Sequence, residues 1–270
     1  MLGAQWLVPP GRPFDLAAID PDSTRGAPGD ESATKPALDE LCDELSSLQD
    51  RFWAEGERAL LVVLQGMDTS GKDGTIRHVF RGVNPLGVRV TAFKAPSQEE
   101  RKHDFLWRAH RAVPAKGEMG LFNRSHYEDV LIVRVHAFVP EPVWRARYDA
   151  INDFERHLAE EGTTIVKFWL HISLEEQRRR LQARLDDPAK RWKFNPEDLK
   201  ERKRWPEYQA AAEEMLGRTA TQEAPWYVVP ADHKWYRNWA VSRVLVDTLE
   251  AMDPAYPEPK DLDHYEIPDP

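Results

Sequence analysis

Apolar residues change their period along this 270-residue chain, and the changes mark its elements. Leu38, Leu41, Leu45, Leu48 and Phe52 recur every three or four residues, which puts them on one face of a helix over 35–55. Residues 59–65 (ALLVVLQ) form a continuous apolar run instead, as expected of a strand covered on both faces in a parallel sheet. Shorter strands are predicted over 88–93 (VRVTAF), 120–123 (GLFN), 164–172 (TIVKFWLHI) and 226–230 (WYVVP). Helical stretches over 75–81, 98–112, 141–161, 173–185, 197–215 and 234–252 separate them. Such alternation predicts a three-layer α/β/α domain with a central parallel sheet and right-handed crossovers.

No internal repeat interrupts this order. Residues 1 to about 35 are rich in Pro, Gly and Asp without period, and read as an extended or partly mobile arm. The Pro-rich, acidic end reads as a surface tail. The expected organisation is therefore an N-terminal extension with a helix (1–55), one α/β domain (56–252) and a tail (253–270).

Composition narrows the function classes. Hydrophobic residues make up 41% and charged residues 31%, which suits a soluble globular protein, and the net charge of −9 argues against a general nucleic-acid or membrane-surface binder. Anion binding must then come from local basic clusters. Cys42 is the single cysteine, so an intrachain disulfide is impossible and a reducing cytosol is expected. The N-terminus lacks a basic-then-apolar signal pattern and no apolar run nears a membrane span, so a cytoplasmic location is expected.

Candidate chemistry begins where the first strand ends. Gly66-Met67-Asp68-Thr69-Ser70-Gly71-Lys72-Asp73-Gly74 has the G-x-x-x-x-G-K spacing of a phosphate-binding loop, set between a strand and a helix. The glycines let the backbone curl so that N–H groups point at phosphate oxygens; the helix N-terminus and Lys72 add positive charge. Asp73 stands where Ser or Thr normally holds Mg²⁺. The metal is therefore expected on a carboxylate, with Asp68 favoured because it lies within the loop. Asp73 reads equally well as an acid offsetting the helix dipole.

A second polar group, Asn123-Arg124-Ser125-His126-Tyr127-Glu128-Asp129, follows the 120–123 strand, and ligands of open α/β sheets bind at such strand ends. Arg124 is suited to clamp a phosphate bidentately, and Glu128 and Asp129 to contact metal or acceptor. Ser125 and Glu128 also have capping-box spacing. Between Arg178 and Lys193 lie Arg178, Arg179, Arg180, Arg184, Lys190, Arg191 and Lys193, followed by Lys200, Arg202, Lys203 and Arg204. Beside a phosphate loop in an acidic protein, this run reads as a lid (about 178–204) over a polyanion channel, which Lys94, Arg101 and Arg108 would extend. Trp205, Trp226, Trp235 and Trp239 read as core or interface. His103, His110 and His136 lack metal-ligand spacing, so no zinc site is expected.

In order along the chain come GMDTSGKDG (66–74), FKAPS (93–97), FLWR (105–108), NRSHY (123–127), VRV (133–135), RWKFNPEDL (191–199) and APWYVV with Asp232. Together, over about 58–249, they closely resemble the polyphosphate kinase 2 family, in the FNRSHYED form of the subgroup that phosphorylates both AMP and ADP. The resemblance implies a thymidylate-kinase-like fold and Mg²⁺-dependent, reversible transfer of the terminal phosphoryl of inorganic polyphosphate to purine nucleotides. It implies that Asp68, Lys72 and Arg124 form the phosphate and metal centre; Glu128 stays a catalytic candidate from its own place after the 120–123 strand. Gly66, Met67, Thr69, Ser70, Gly71, Asp73 and Gly74 would cradle phosphate. Lys94, Arg108 and Arg134 would contact phosphates; Arg178, Lys190, Arg191 and Lys193 would belong to the lid. Many family members have Asp at the position of Asn123 and Asn at that of Glu128, so Asn123 is placed with the nucleotide and phosphate contacts, not as a metal ligand. A dimer or tetramer is also implied. Two other readings stay open: an ATP-dependent nucleoside monophosphate kinase, and a non-catalytic nucleotide or polyanion binder.

Overall fold

A computed structural model describes residues 2–259, 265, 267 and 268. Its elements run α1 (Glu31–Glu55), β1 (Ala59–Gln65), α2 (Lys72–Val79), β2 (Val88–Ala92), α3 (Trp107–His110), β3 (Met119–Asn123) and α4 (Ile132–Val135). The chain continues through α5 (Glu141–Glu160), β4 (Thr163–His171), α6 (Leu174–Asp186), α7 (Glu197–Arg202), α8 (Trp205–Thr219), β5 (Trp226–Pro230) and α9 (Lys234–Met252).

The five strands form one parallel sheet in the order β2-β3-β1-β4-β5. Every residue of β1 is buried, as its unbroken apolar run requires of the middle strand. β2 lies at an edge and is largely exposed. Helices α1, α2 and α9 pack together, while α4, α5 and α8 form a second group. Right-handed crossovers put those two groups on opposite faces, because the chain moves one way along the sheet from β1 to β2 and the other way from β3 past β1 to β4. Among the described residues no helix is long and apolar enough to cross a membrane.

Several predicted elements differ in extent, each for a local reason. α1 starts at Glu31 because Asp30 caps it, accepting from the Ala33 N–H. The 98–112 stretch is not one helix. Ser97 Oγ accepts from the Glu100 N–H at 3.1 Å and Asp104 Oδ1 from the Leu106 N–H at 2.9 Å; these bonds divert the backbone into a 3₁₀ turn and the short α3. Pro206 splits the predicted 197–215 helix into α7 and α8, since Pro cannot donate an interior helical bond but fits a first turn.

The described N-terminal segment up to residue 25 is anchored to the domain at a few points rather than extended from it. Trp6, Val8 and Leu16 are buried. The Val8 N–H donates to the Trp226 carbonyl at 2.9 Å, and Leu7 forms an antiparallel bridge with Tyr227. This segment thereby covers the open edge of β5, a position that would otherwise present unpaired backbone groups. The predicted tail lies partly outside the described residues.

One polar network runs through the core. Lys167, in the middle of β4, is fully buried; its Nζ donates to Glu155 on α5 at 2.5 Å, the Tyr127 hydroxyl at 2.7 Å and the Thr219 carbonyl at 2.8 Å. Tyr127 donates to the other oxygen of Glu155 at 2.8 Å. The network ties the segment after β3 to β4, α5 and α8. Removing one charge of such a pair strands the other, so Glu155→Gln should lower stability by about 3 kcal/mol or more in urea unfolding. A loss within about 0.5 kcal/mol, the size of an ordinary surface substitution, would mean that the pair does not brace the core.

Candidate active site

The loop after β1 is shaped by donors drawn from distant parts of the chain. Gly66 and Gly71 have φ of +147° and +105°, and Thr69 has +66°. At Gly66 a Cβ would lie 2.6 Å from the Leu170 carbonyl, so only glycine fits. Lys72 Nζ turns back to the Gly66 and Met67 carbonyls at 2.7 and 3.2 Å. Gln177 Nε2 on α6 donates to the Asp68 carbonyl at 3.1 Å. Arg180 Nη1, also on α6, donates to the Thr69 and Ser70 carbonyls at 2.9 and 3.0 Å, and Arg237 Nη1 on α9 reaches Ser70 at 3.3 Å. Each carbonyl from Gly66 to Ser70 thus accepts from a side chain. With the oxygens held back, the face left for a ligand is the N–H face.

Lys72 is buried, and burial pushes its pKa down to about 8, with Arg124 acting in the same direction and Asp68, Glu128 and Asp73 opposing. The Thr69 hydroxyl is buried with no hydrogen-bond partner among the described residues.

β3 delivers the second group beside the loop, as its register with β1 pairs Leu64 with Asn123. Arg124 adopts φ of +59°, bonds Asp68 through Nη2 and pairs with Glu128 at 3.4 Å. Glu128 and then Asp68 raise its pKa, so it is permanently charged. Asn123 Nδ2 donates to Asp73 Oδ1 at 2.5 Å, so Asp73 is tied to the end of β3 as well as to the first turn of α2. Ser125 caps a 3₁₀ turn over His126–Asp129 by accepting from the Tyr127 N–H. Glu128 does not close the capping box; its carboxylate goes to Arg124 and to Gln65 at 3.1 Å.

The other expected contacts scatter more widely. Lys94 is exposed at the end of β2, and Arg108 Nη1 donates to its carbonyl at 2.7 Å; both line a cavity of about 200 Å³ with Thr91, Phe93 and Glu100. Arg134 pairs with Glu214 at 2.7 Å and lies over the Trp144 ring at 4.6 Å. In the lid region Arg178 pairs with Glu175, Lys190 with Asp187 and Arg184 with Asp198, while Arg191 Nε donates to the Leu185 carbonyl. Lys193 lies 5.0 Å over the Trp192 ring, which is exposed at a 3₁₀ turn. The basic run is therefore partly matched by acids on α6 and α7, and is less positive than its sequence reads.

Three functional candidates escape motif reasoning. Gln177 and Arg237 sit in ordinary helical sequence, and Arg180 is indistinguishable in sequence from its two arginine neighbours. A fourth, Asp198 on α7, is half-buried and close enough to Asp68 to have its pKa raised, after burial, by that charge. Arg184, Arg124 and Lys72 pull it back.

The comparisons fit this geometry. A family model described as polyphosphate kinase 2 matches residues 29–257. The chain belongs to the polyphosphate kinase 2 family. An AMP/ADP-polyphosphate phosphotransferase of Meiothermus ruber is 54% identical over 95% of this chain and 96% of its own. An ADP-polyphosphate phosphotransferase of Rhodopseudomonas palustris is 46% identical over 80% of this chain and 79% of its own. The crystal structure of polyphosphate kinase 2 from Arthrobacter aurescens TC1 superposes with a TM-score of 0.93 at 45% identity, covering 98% of this chain and 93% of that one.

Buried Lys72 titrates near 8 when folded against an ordinary 10.5, so between those pH values the unfolded chain holds the extra proton and stability rises with pH. From pH 8 to 10.5, wild type should gain about 3 kcal/mol on Lys72→Met in denaturant unfolding. Parallel pH curves for the two proteins would show that Lys72 keeps its ordinary pKa.

Proposed function

We propose that this chain transfers the terminal phosphoryl group of inorganic polyphosphate to AMP and to ADP, forming ADP and ATP reversibly. The observation that carries this reading is the buried Lys72 facing the Arg124–Asp68–Glu128 group across the ends of β1 and β3, in a chain 54% identical to an AMP/ADP-polyphosphate phosphotransferase. A phosphate oxygen of the acceptor attacks the terminal phosphorus of the donor in line. The bond to the bridging oxygen breaks, and the shortened polyphosphate leaves with that electron pair. The attacking oxygen is already ionised, so no general base is needed. Lys72, Arg124 and the loop N–H groups hold the reacting oxygens and neutralise their charge.

The donor set fits Mg²⁺. Asp68 offers hard carboxylate oxygens at the mouth of the loop, with Asp73 and Glu128 near it. Such a set suits an ion held by one or two carboxylates and by substrate oxygens. Asp68 would hold it; when bound, it draws charge from the phosphate oxygens. Lys94 and Arg108, beside their cavity, and Arg134 are proposed phosphate contacts, and Asn123 would act by orienting Asp73. Arg178, Lys190, Arg191 and Lys193 are proposed to close over the donor, Arg178 and Lys190 once phosphate competes for Glu175 and Asp187. Association into dimers or tetramers is proposed from the family resemblance, supported by exposed Phe138 and Val143 beside a groove of about 610 Å³.

Incubation of AMP, and separately ADP, with polyphosphate and Mg²⁺ but no ATP should yield product from each. Lys72→Ala should slow both reactions roughly a hundred- to a thousandfold. Product formed with ATP as donor and none with polyphosphate would move the chain to the ordinary nucleotide kinases.

A further inference from the structure

Two guanidinium groups support the loop from behind, and they are held differently. Arg180 has an acid of its own: Nε donates to Glu176 at 2.6 Å, and Nη1 and Nη2 go to the carbonyls of Thr69, Ser70, Ala231 and Asp232. Arg237 is 2% exposed and has none. Its Nε and Nη2 donate to Asn238 Oδ1 at 3.1 and 2.7 Å and its Nη1 to the Ser70 carbonyl at 3.3 Å, all neutral oxygens.

Everything else about the position disfavours a cation. Burial pushes the Arg237 pKa down to about 9, Arg180 pushes it the same way, and no carboxylate opposes them. The side chain also stems from the first turn of α9, where the helix dipole repels positive charge. The chain has 46 acidic residues against 37 basic ones, so acids are not scarce. A buried charge without a counter-charge weakens a fold, and such violations concentrate where function demands them.

Its location supplies the demand. A Cβ on Gly71 would lie 1.9 Å from Arg237 Nη1, and one on Gly74 would lie 3.3 Å from Nη2. The guanidinium therefore backs the first turn of α2, whose N–H groups face the phosphate site. We propose that Arg237 is a positioning residue whose counter-charge is the phosphate chain of the donor. It acts from behind the loop, through the Ser70–Gly71 backbone and through its field, without touching the substrate. This rests on reading the loop as the polyphosphate site.

The test compares Arg237→Met and Arg237→Lys with wild type. Melting temperature is read with and without tripolyphosphate in the absence of Mg²⁺, and KM and kcat for polyphosphate are measured with it. Arg237→Met should melt at or above the wild-type temperature when free, yet lose most of the upward shift given by tripolyphosphate. Its KM for polyphosphate should rise about tenfold or more, the scale of one charge acting across several ångströms of protein, with a smaller fall in kcat. Arg237→Lys should recover most of both. A Met variant that melts lower, or does not fold, while Arg237→Lys keeps the wild-type shift and KM no better than other core substitutions would make the arginine a structural strut and overturn the proposal. So would an unchanged tripolyphosphate shift in Arg237→Met. If wild type used ATP alone as donor, the proposed function would fail while the tripolyphosphate shift could still be read.

Discussion

The site depends on where the oxygens of one loop point. A peptide turn offers an anion its N–H groups and its carbonyls alike, and only the former attract. In this chain the carbonyls of residues 66–70 are taken by Lys72, Gln177, Arg180 and Arg237, which come from α2, α6 and α9. The bonds from Gln177, Arg180 and Arg237 hold their oxygens back from the ligand and place a donor's charge or dipole behind them, while Lys72 ties the oxygens of Gly66 and Met67. The glycines allow the curvature, but these donors fix its sense. A glycine-rich turn without them would be free to present either edge.

That division of labour explains what the sequence made legible. A continuous apolar run followed by G-x-x-x-x-G-K states locally that a buried strand feeds a tightly curled loop, and the strand and that curl lie where the pattern put them. Arg124 and Glu128 were legible for the same reason, since they follow a short strand directly. Gln177, Arg180 and Arg237 were not, because their partners lie 109, 111 and 167 residues away and nothing in α6 or α9 marks which arginine turns inward. Asp198 lay within the resembling RWKFNPEDL segment, yet only the return of α7 toward the loop gives its carboxylate a role. Local chemistry also hid in the helices: Asp104 and Ser97 divided one predicted helix, and Pro206 divided another.

The second half of the site is braced from beneath. Arg124 occupies a left-handed backbone conformation that costs energy for a residue with a Cβ, and it persists because its neighbours are fixed. Tyr127, three residues on, is locked to Glu155 and Lys167 in the core. A buried ion pair stabilises little by itself, but it resists rearrangement strongly, since any shift strands a charge. Here that resistance is applied to the turn that aims Arg124 at Asp68.

An acidic protein that handles a polyanion has to separate its long-range field from its local one. At a net charge of −9 the whole molecule repels polyphosphate, but beyond about 10 Å salt screens that repulsion. Within that distance the ligand face of the loop has Lys72, Arg124 and the N-terminus of α2, with the buried arginines behind it, in a setting where water screens poorly. The proposed lid would work in the opposite regime. Its Arg178 and Lys190 are exposed and already paired with Glu175 and Asp187, pairs worth little in water. Weak pairs of that kind can exchange an acid for a phosphate at small cost, whereas Arg237 has no acid to exchange. Capture at the proposed lid and retention at the loop would thus draw on different electrostatics, one exposed and readily exchanged, the other buried and fixed.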